Sequence, residues 1–344
     1  MQHEIKTAGP LLKADGSLRE AGFARSLILD YDRAAIKAGA SRIKEWDYYL
    51  IYDNEVAVAL TIDDNSYMNM VSASYIDLKK AKEKTTSFIR PLTWGKTGLP
   101  ASSKQGHIHY EDKNSQLDFK VEDGKRFLKL WIADFEDGKP FECDLVLEDE
   151  PQDSMVIATP FPGKPKHFYY NQKIIGMRAS GVVACPRGGH VFKSETAFGL
   201  LDWGRGVWTY KNTWYWGAAQ GLWKDHVLGF NIGYGFGDTS AASENMLFFD
   251  GVAHKLDKVT FNIPKDGRGK DDFMKPWTFT SNDGRFTMHF QPIIDRAACT
   301  NALVIKSDQH QVFGWFTGSM MLDDGTRVEI EKFLGFAEKV ANRW

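Results

Sequence analysis

The dipeptide Asp-Gly occurs seven times, and its surroundings limit the kinds of fold that the chain can form. The seven copies begin at residues 15, 123, 137, 250, 266, 283 and 324. Asp and Gly adopt positive φ at low cost, and two-residue turns between antiparallel strands require that conformation. Several copies separate segments in which apolar and polar residues alternate, so we expect β-hairpins at these positions.

The flanking segments have the period of two that is typical of half-buried strands. In one of them, Phe141, Cys143, Leu145 and Leu147 share one face, and the charged residues Glu142, Asp144 and Glu148 share the other. Residues 56–62, 259–263 and 286–290 follow the same pattern, and aromatic residues make up 13% of the chain. Residues 77–83 are predicted to form a short charged helix, while residues 17–29 and 338–344 are ambiguous. Strands and helices do not alternate, so we predict an all-β fold.

Prolines suggest where the chain divides. Four of its 12 prolines lie in residues 151–165, after the acidic run 148–150. Because proline is rare inside central strands, this stretch is predicted to be a connection or an edge. We therefore expect one β-domain at residues 1–165 and another at residues 166–344, each long enough for an antiparallel barrel or sandwich.

Charge and composition exclude several functional classes. The net charge is −2, which argues against a nucleic-acid partner. The first residues lack an apolar segment and no run of about 18 apolar residues occurs, so neither a secretory signal nor an integral membrane segment is predicted. Cys143, Cys185 and Cys299 are far apart and form no CxxC pair. We expect a cytoplasmic protein without disulfides, and the oligomeric state stays unknown.

Residues 200–236 contain the densest aromatic region, with five tryptophans among ten aromatic residues. Its centre reads Asp202-Trp203-Gly204-Arg205-Gly206-Val207-Trp208. Burial among indoles favours a protonated carboxyl group, whereas a nearby guanidinium favours a carboxylate. Two interpretations stay open: Asp202 is a catalytic acid with Arg205 beside it, or the two residues form a structural ion pair that closes a barrel end.

Further polar and aromatic candidates follow in the same half of the chain. Trp214 and Trp216 are predicted to share one face of a strand, where they either line an apolar pocket or fill a solid core. Asn231 places an amide between apolar neighbours. Glu244 precedes an apolar run and is either a second acid or a surface residue.

Metal and nucleotide sites have little support. His107 and His109 can face the same side of a strand, but no third ligand lies nearby in sequence, so we interpret them as ordinary strand histidines. The glycines match neither GxxxxGK[ST] nor a GxGxxG that opens a βαβ unit. We therefore predict no metal and no cofactor.

Several motifs resemble those of the domain-of-unknown-function family 2804. The resemblance covers most of the chain and includes Phe168-Tyr169-Tyr170-Asn171, Met177-Arg178-Ala179-Ser180-Gly181, Asp202-Trp203-Gly204-Arg205-Gly206, Trp214-Tyr215-Trp216-Gly217, Ser243-Glu244-Asn245 and Gly335-Phe336-Ala337-Glu338. More distantly, the order of features is similar to the AttH-like and carotenoid 1,2-hydratase group. That resemblance implies two lipocalin-like antiparallel β-barrels with a few short helices, and metal-free protonation of apolar substrates. Asp202 takes the place of the group's aspartate, although Trp203 stands where relatives often carry a polar or basic residue.

The resulting hypothesis is a protein that binds a small lipophilic molecule, terpenoid- or lipid-like, in an aromatic-lined barrel cavity. If the protein is an enzyme, it catalyses hydration, cyclisation or isomerisation by acid–base chemistry. The expected catalytic residues are Asp202, Arg205 and Glu244, and the expected ligand-binding residues are Trp203, Trp208, Trp214, Trp216, Asn231 and Tyr170. Two alternatives stay open: a non-catalytic carrier or sensor of a hydrophobic ligand, and a carbohydrate-active protein that uses Asp202 with Glu244.

Overall fold

The computed structural model describes residues 2–302 and 305–343. These residues form 24 strands and two short 3₁₀-helices, Arg33–Ala35 and Ala40–Arg42, with no α-helix among them. The all-β prediction is therefore confirmed. None of the helices in this part of the chain has the length and apolar character needed to span a bilayer.

The first sheet has 13 strands within the described chain and is built mainly from antiparallel neighbours. Its strands are β2 (Gly22–Ala24), β4 (Ile43–Tyr52), β5 (Val56–Asp64), β6 (Met68–Asp77), β7 (Lys82–Pro91), β8 (Gly106–Glu111), β9 (Ser115–Glu122), β10 (Lys125–Glu136), β11 (Lys139–Glu148), β12 (Met155–Phe161), β13 (Lys164–Cys185), β14 (Gly188–Phe192) and β15 (Phe198–Val207). The main order is β7-β6-β5-β4-β15-β13-β11-β10-β9-β8. Strands β12 and β14 also pair with β13, and β2 pairs with β12.

The second sheet has nine antiparallel strands in the order β19-β18-β17-β16-β24-β23-β22-β21-β20, counted over the same described residues. Its strands are β16 (Lys211–Trp223), β17 (His226–Tyr234), β18 (Met246–Phe249), β19 (Val252–Lys255), β20 (Val259–Asn262), β21 (Trp277–Ser281), β22 (Phe286–Ala302), β23 (Ile305–Met321) and β24 (Arg327–Arg343). A separate pair of short parallel strands, β1 (Gly9–Pro10) and β3 (Leu29–Asp30), lies near the N-terminus.

The change from one sheet to the other falls between Val207 and Lys211, not near residue 165. Strands β12 and β13 pair with each other, and Pro162 and Gly163 lie in the turn between them. Gly163 has φ of 67°, as a tight turn requires. The proline-rich stretch is therefore a hairpin inside the first sheet, while the division into two domains near residue 165 stays a prediction.

Five of the seven Asp-Gly dipeptides join consecutive antiparallel strands, namely those at 123, 137, 250, 283 and 324. At 123–124, 137–138 and 250–251 both residues have positive φ, the conformation of a type I′ turn. The predicted alternation is also confirmed, because Phe141, Cys143, Leu145 and Leu147 are all buried.

The helix predicted at residues 77–83 is wrong. Asp77 ends β6 and Lys82 begins β7, with a tight turn between them. The Asp77 carboxylate accepts a hydrogen bond of 2.8 Å from the Lys80 backbone N–H, and Ala81 has φ of 50°. The same charged residues that suggested a helix therefore form a hairpin turn. Of the ambiguous segments, 17–29 contains β2 and the start of β3, and 338–343 belongs to β24; Trp344 lies outside the described residues.

The buried apolar residues form three layers. One lies inside the first sheet, one inside the second, and the third between the two sheets. Strand β5 shows the arrangement: Val58 and Leu60 point into the first layer, while Ala57 and Ala59 point toward the second sheet. Both faces of β5 are therefore buried, and the two sheets pack face to face.

Candidate functional site

A group of buried charged residues lies in the layer between the two sheets. The apolar residues of this layer come mainly from β2, β4, β5, β6, β12, β13 and β15 of the first sheet and from β16, β18, β19, β22, β23 and β24 of the second. We call this region the intersheet site, defined by the charged residues Lys173, Asp202, Glu244 and Glu338. Each of the four has at most 7% of its surface exposed.

Asp202 and Lys173 form a buried ion pair at the centre of the intersheet site. The two residues are direct partners on β15 and β13, and the Lys173 Nζ lies 2.9 Å from a carboxylate oxygen of Asp202. The Asn171 amide, two residues before Lys173 on the same face, donates to the other oxygen at 2.6 Å. Lys173 Nζ also lies 3.8 Å from the centre of the Trp216 ring, so the ammonium group contacts a carboxylate and an indole face.

Arg205 does not partner Asp202. Successive residues of a strand point to opposite faces, so Arg205 shares its face with Trp203 rather than with Asp202. Its guanidinium donates to Asp47 at 3.0 Å and to the backbone oxygen of Pro100 at 2.8 Å, and lies 4.3 Å from the Trp203 ring. Neither the expected Asp202–Arg205 ion pair nor an orienting role of Arg205 toward Asp202 exists in this geometry.

Gly204 lies in the middle of a regular strand and contacts an aromatic ring of the neighbouring strand. Strand β15 pairs with β4 in regular register across the whole motif. A Cβ atom at Gly204 would lie 1.9 Å from the indole of Trp46, which faces it from β4. The glycine therefore makes room for an aromatic ring of the intersheet site.

Glu244 reaches the intersheet site from the loop before β18. Its backbone oxygen accepts a 2.7 Å hydrogen bond from the Asn231 amide, whose own oxygen accepts a bond of 2.7 Å from the Trp216 Nε1–H. Burial raises the pKa of Glu244; the charge of Lys173 opposes this shift and that of Asp202 adds to it. Sequence reasoning left open a surface position, and the structure instead places this carboxyl group inside.

Glu338 on β24 is a carboxyl group that the sequence reasoning did not single out. The Trp214 Nε1–H donates to one of its oxygens at 2.9 Å, and the Gln311 amide donates to the other at 3.1 Å. Burial raises the pKa of Glu338 to about 7, although the Trp214 hydrogen bond and the charge of Lys173 both act against the shift. At neutral pH this group therefore exchanges readily between its protonated and ionised forms.

A polar chain leads outward from Glu338. Gln311 accepts a hydrogen bond of 2.8 Å from Arg296 and lies 3.2 Å from the hydroxyl of Tyr48. Arg296 is only partly buried, and its Nε donates to Thr85 at 3.3 Å. The buried carboxyl group is thus connected through side chains to the edge of the interface.

Aromatic rings surround the charged residues. Trp208 packs edge-on against Trp46, Trp214 and Phe236, with ring centres 5.3, 5.9 and 4.7 Å away. Trp46 also stacks on Tyr169 at an interplanar angle of 12°. Trp46 and Trp214 keep part of their surface exposed, whereas Trp208 is 7% exposed. The rings therefore fill most of the layer and leave partial access at its rim.

The residues predicted to bind a ligand divide between two layers. Four of them contribute to the intersheet site: Trp208, Trp214, Trp216 and Asn231. Trp203 and Tyr170 lie inside the first sheet, where their rings meet edge to face at 5.7 Å. The Tyr170 hydroxyl donates to the backbone oxygen of Leu29 at 2.9 Å. These last two residues do not line the intersheet site.

The sequence contained weak signals for the two residues that the reasoning missed. Lys173 follows Asn171 by two positions in a tyrosine-rich strand, so the period of two places both side chains on one face. Glu338 closes the run Gly335-Phe336-Ala337-Glu338, in which an acid follows small and apolar residues. In neither case does the sequence show which distant strand supplies the partner.

Comparison with solved structures identifies the fold. A crystal structure assigned to AttH of Nitrosomonas europaea superposes with a TM-score of 0.57 at 12% identity, covering 90% of this chain and 96% of that one. Kievitone hydratase of Nectria haematococca matches 97% of this chain and 98% of its own at 11% identity, but its TM-score of 0.47 is too low to support an argument. The predicted lipocalin-like architecture is confirmed.

Comparison of sequences gives the family. The search of curated proteins found no match to the chain. The model of the family described as "Domain of unknown function (DUF2804)" matches residues 2–344, which confirms the resemblance seen in the motifs. The chain therefore belongs to the DUF2804 family.

Proposed function

We propose that the intersheet site binds a small lipophilic molecule and transfers protons to or from it. The observation that carries this proposal is the arrangement of three buried carboxyl groups around one lysine, within a shell of indoles. A merely structural layer has no need for this excess of acids, because burying a charge without a partner is costly.

The acid excess supports proton transfer near neutral pH. Lys173 can balance one negative charge, and its closest partner is Asp202. Lys255 also acts on Glu244 and Arg296 on Glu338, yet burial in the poorly solvated layer outweighs these positive charges and raises the pKa of both carboxyl groups. The pKa of Glu338 is about 7, because burial outweighs the hydrogen bond from Trp214. A group with such a pKa can act as general acid or general base at physiological pH.

The roles within the site follow from the contacts. Lys173 and Asn171 both donate to Asp202, so this carboxylate is an acceptor that fixes the lysine rather than the best proton donor. Glu338 is the proposed donor, and Glu244 is the proposed second proton carrier. Arg205 takes no part, since it points into the first sheet. The proposal thus keeps the acid–base chemistry expected from the sequence and moves the donor role to a different strand.

The surrounding rings indicate what kind of molecule fits. Trp208, Trp214 and Phe236 supply apolar surface, and indole faces stabilise positive charge that develops when an apolar molecule is protonated. The partly exposed rings of Trp46 and Trp214 mark the route of entry. Because side chains occupy most of the layer, the ligand must displace rings when it binds. Hydration, isomerisation and cyclisation of an apolar molecule all begin with such a proton transfer.

The test begins with the molecule that the protein carries. Native mass spectrometry of freshly purified protein, followed by extraction, should reveal a bound apolar molecule; a bound oligosaccharide would instead support the carbohydrate-active alternative. Returned to the protein in deuterium oxide, the extracted molecule should gain deuterium at carbon. Binding without deuterium gain would support a carrier. Absence of any bound molecule, together with no binding of the apolar probe N-phenylnaphthylamine, overturns the proposal.

Variants then assign the proton donor. Glu338→Gln should keep the bound molecule and lower the rate of deuterium gain by about 10²-fold or more, the scale of general acid–base catalysis. Glu329→Gln is the matched control, because Glu329 lies on the same strand and its side chain is 72% exposed. Equal rates in Glu338→Gln and the unmodified protein would remove Glu338 from the donor role.

A further inference from the structure

A second cluster of chemically active side chains lies on the outer face of the first sheet. His107 and His109 on β8 point to the same side, and Asp118 stands directly opposite His109 on β9. In the main order of the sheet, β8 and β9 lie at the edge, separated from β13 by β10 and β11. The cluster is therefore remote from the intersheet site and independent of its proposed function.

The three side chains converge on a single point. One carboxylate oxygen of Asp118 lies 2.8 Å from His107 Nε2 and 3.1 Å from His109 Nδ1. One ligand atom from each residue lies within 4.8 Å of the others. Tetrahedral Zn²⁺, with bonds near 2.1 Å, holds its ligand atoms about 3.4 Å apart. Small side-chain rotations bring the three atoms to that spacing.

The neighbouring charges favour a cation. Glu111 Oε2 lies 3.8 Å from His109 Nε2, the ring nitrogen that faces away from Asp118. In metal sites, a histidine ligand commonly donates the N–H of its other ring nitrogen to a carboxylate. Two lysines border the cluster, but Lys120 pairs with Glu122 at 2.8 Å and Lys129 pairs with Asp144 at 3.0 Å. Both lysine ammonium groups thus form ion pairs with carboxylates outside the cluster.

The alternative is a set of ordinary surface ion pairs, and the geometry distinguishes the two. A surface pair needs one histidine and one acid, as in His226 with Asp250 at 2.7 Å. Here two imidazoles from positions i and i+2 of one strand meet one carboxylate oxygen from the next strand. Rigid antiparallel pairing holds both strands in register, so the three donors are preorganised without the help of a loop.

We propose that His107, His109 and Asp118 bind one divalent transition-metal ion of the Zn²⁺ type. Two imidazole nitrogens and one carboxylate oxygen form a donor set that suits Zn²⁺, Co²⁺, Ni²⁺ and Cu²⁺ better than Ca²⁺ or Mg²⁺. The histidine side chains are about half exposed, at 49% and 51%, so water completes the coordination. The site corrects the expectation that no third ligand joins the two histidines, because Asp118 comes from the neighbouring strand.

Calorimetric titration with ZnCl₂ near neutral pH tests the site. The unmodified protein should bind one ion per chain at this position. His107→Gln and Asp118→Asn should each weaken that binding by at least about tenfold, since outer partners alone contribute 10- to 100-fold. His226→Gln is the matched control and should bind Zn²⁺ as the unmodified protein does.

Electron paramagnetic resonance with Cu²⁺ gives an independent readout. The spectrum should show hyperfine coupling to two imidazole nitrogens, reduced to one in His109→Gln. Circular dichroism of each variant should be unchanged, because the three side chains lie on the surface. The proposal would be overturned if the unmodified protein did not bind Zn²⁺, or if His107→Gln and Asp118→Asn bound it as tightly as the unmodified protein does.

Discussion

Two aromatic-rich layers of this protein differ in what their rings contact. Inside the second sheet, rings such as Phe230, Phe286 and Phe316 pack on one another at 5.0–5.1 Å, and the Trp277 N–H bonds only to a backbone oxygen. Between the sheets, the indole N–H groups of Trp214 and Trp216 bond to Glu338 and to an amide side chain. A high aromatic content alone therefore does not distinguish the intersheet site from a solid core; the titratable partners of the rings do.

The largest effect is expected in the second sheet. Trp277 is fully buried among aromatic neighbours, so Trp277→Ala should lower the free energy of unfolding by about 3–5 kcal/mol. Urea denaturation measures this loss. Trp131→Ala is the control, since Trp131 is 39% exposed and should cost far less. Equal losses at both positions would contradict the assignment of this layer as the structural core.

The next effect tests the ion pair of the intersheet site. Lys173→Met leaves Asp202 buried without its cation and should cost about 3 kcal/mol in unfolding free energy. Adding Asp202→Asn removes the unpaired charge and should restore at least about 1 kcal/mol. Urea denaturation of both single variants and the double variant gives the coupling energy. Additive losses would show that the two residues act independently.

The pH dependence of stability separates the two layers further. The pKa of Glu338 is about 7 when folded and near 4.5 when unfolded. Between these values the unfolded chain loses the proton first, so the folded state becomes less stable as pH rises, by about 3 kcal/mol in total, and the effect levels off above pH 7. Glu338→Gln should flatten this slope, whereas Glu329→Gln should not. Unchanged slopes in Glu338→Gln would contradict the buried position of the carboxyl group.

The smallest effect concerns the hydrogen bond to Glu338. Trp214 lowers the pKa of Glu338 through its Nε1–H, so Trp214→Phe should raise that pKa by about one unit, the scale of a hydrogen bond to a charged group. Carboxyl-selective NMR titration measures the shift. Trp216→Phe is the matched control, because Trp216 bonds to Asn231 instead. A comparable shift in both variants would argue for a general packing effect.

The local features of this fold could be predicted from sequence, since they depend on neighbouring residues. The turn at Asp123-Gly124 and the alternation through Phe141 and Cys143 need no distant partner. The sheet boundary could not be found in this way, because Pro162 terminates a strand equally well in a hairpin or a linker. Local preference thus fixes the turns, while the long-range pairing of strands fixes the sheets.

The candidate site shows the same limit. Asp202 and Arg205 looked like a pair because they are close in sequence, yet a separation of three residues along a strand points them to opposite faces. The true partner, Lys173, is 29 positions away and becomes adjacent only through the register of β13 and β15. Glu338 enters from the last strand, more than a hundred residues later. The sequence analysis named Asp202 and Glu244 and missed Lys173 and Glu338, whose partners lie on distant strands.

Strand β13 has a consequence for how the chain folds. Its 22 residues pair with β11, β12, β14 and β15, so the pairing of four strands depends on β13. Contacts between residues far apart in sequence slow folding, because the intervening chain must be ordered first. Strand β13 also carries Asn171 and Lys173, and its pairing with β15 places Asp202 beside them. We therefore expect the ion pair to form only when the first sheet has assembled around β13, so that the intersheet site is completed late in folding.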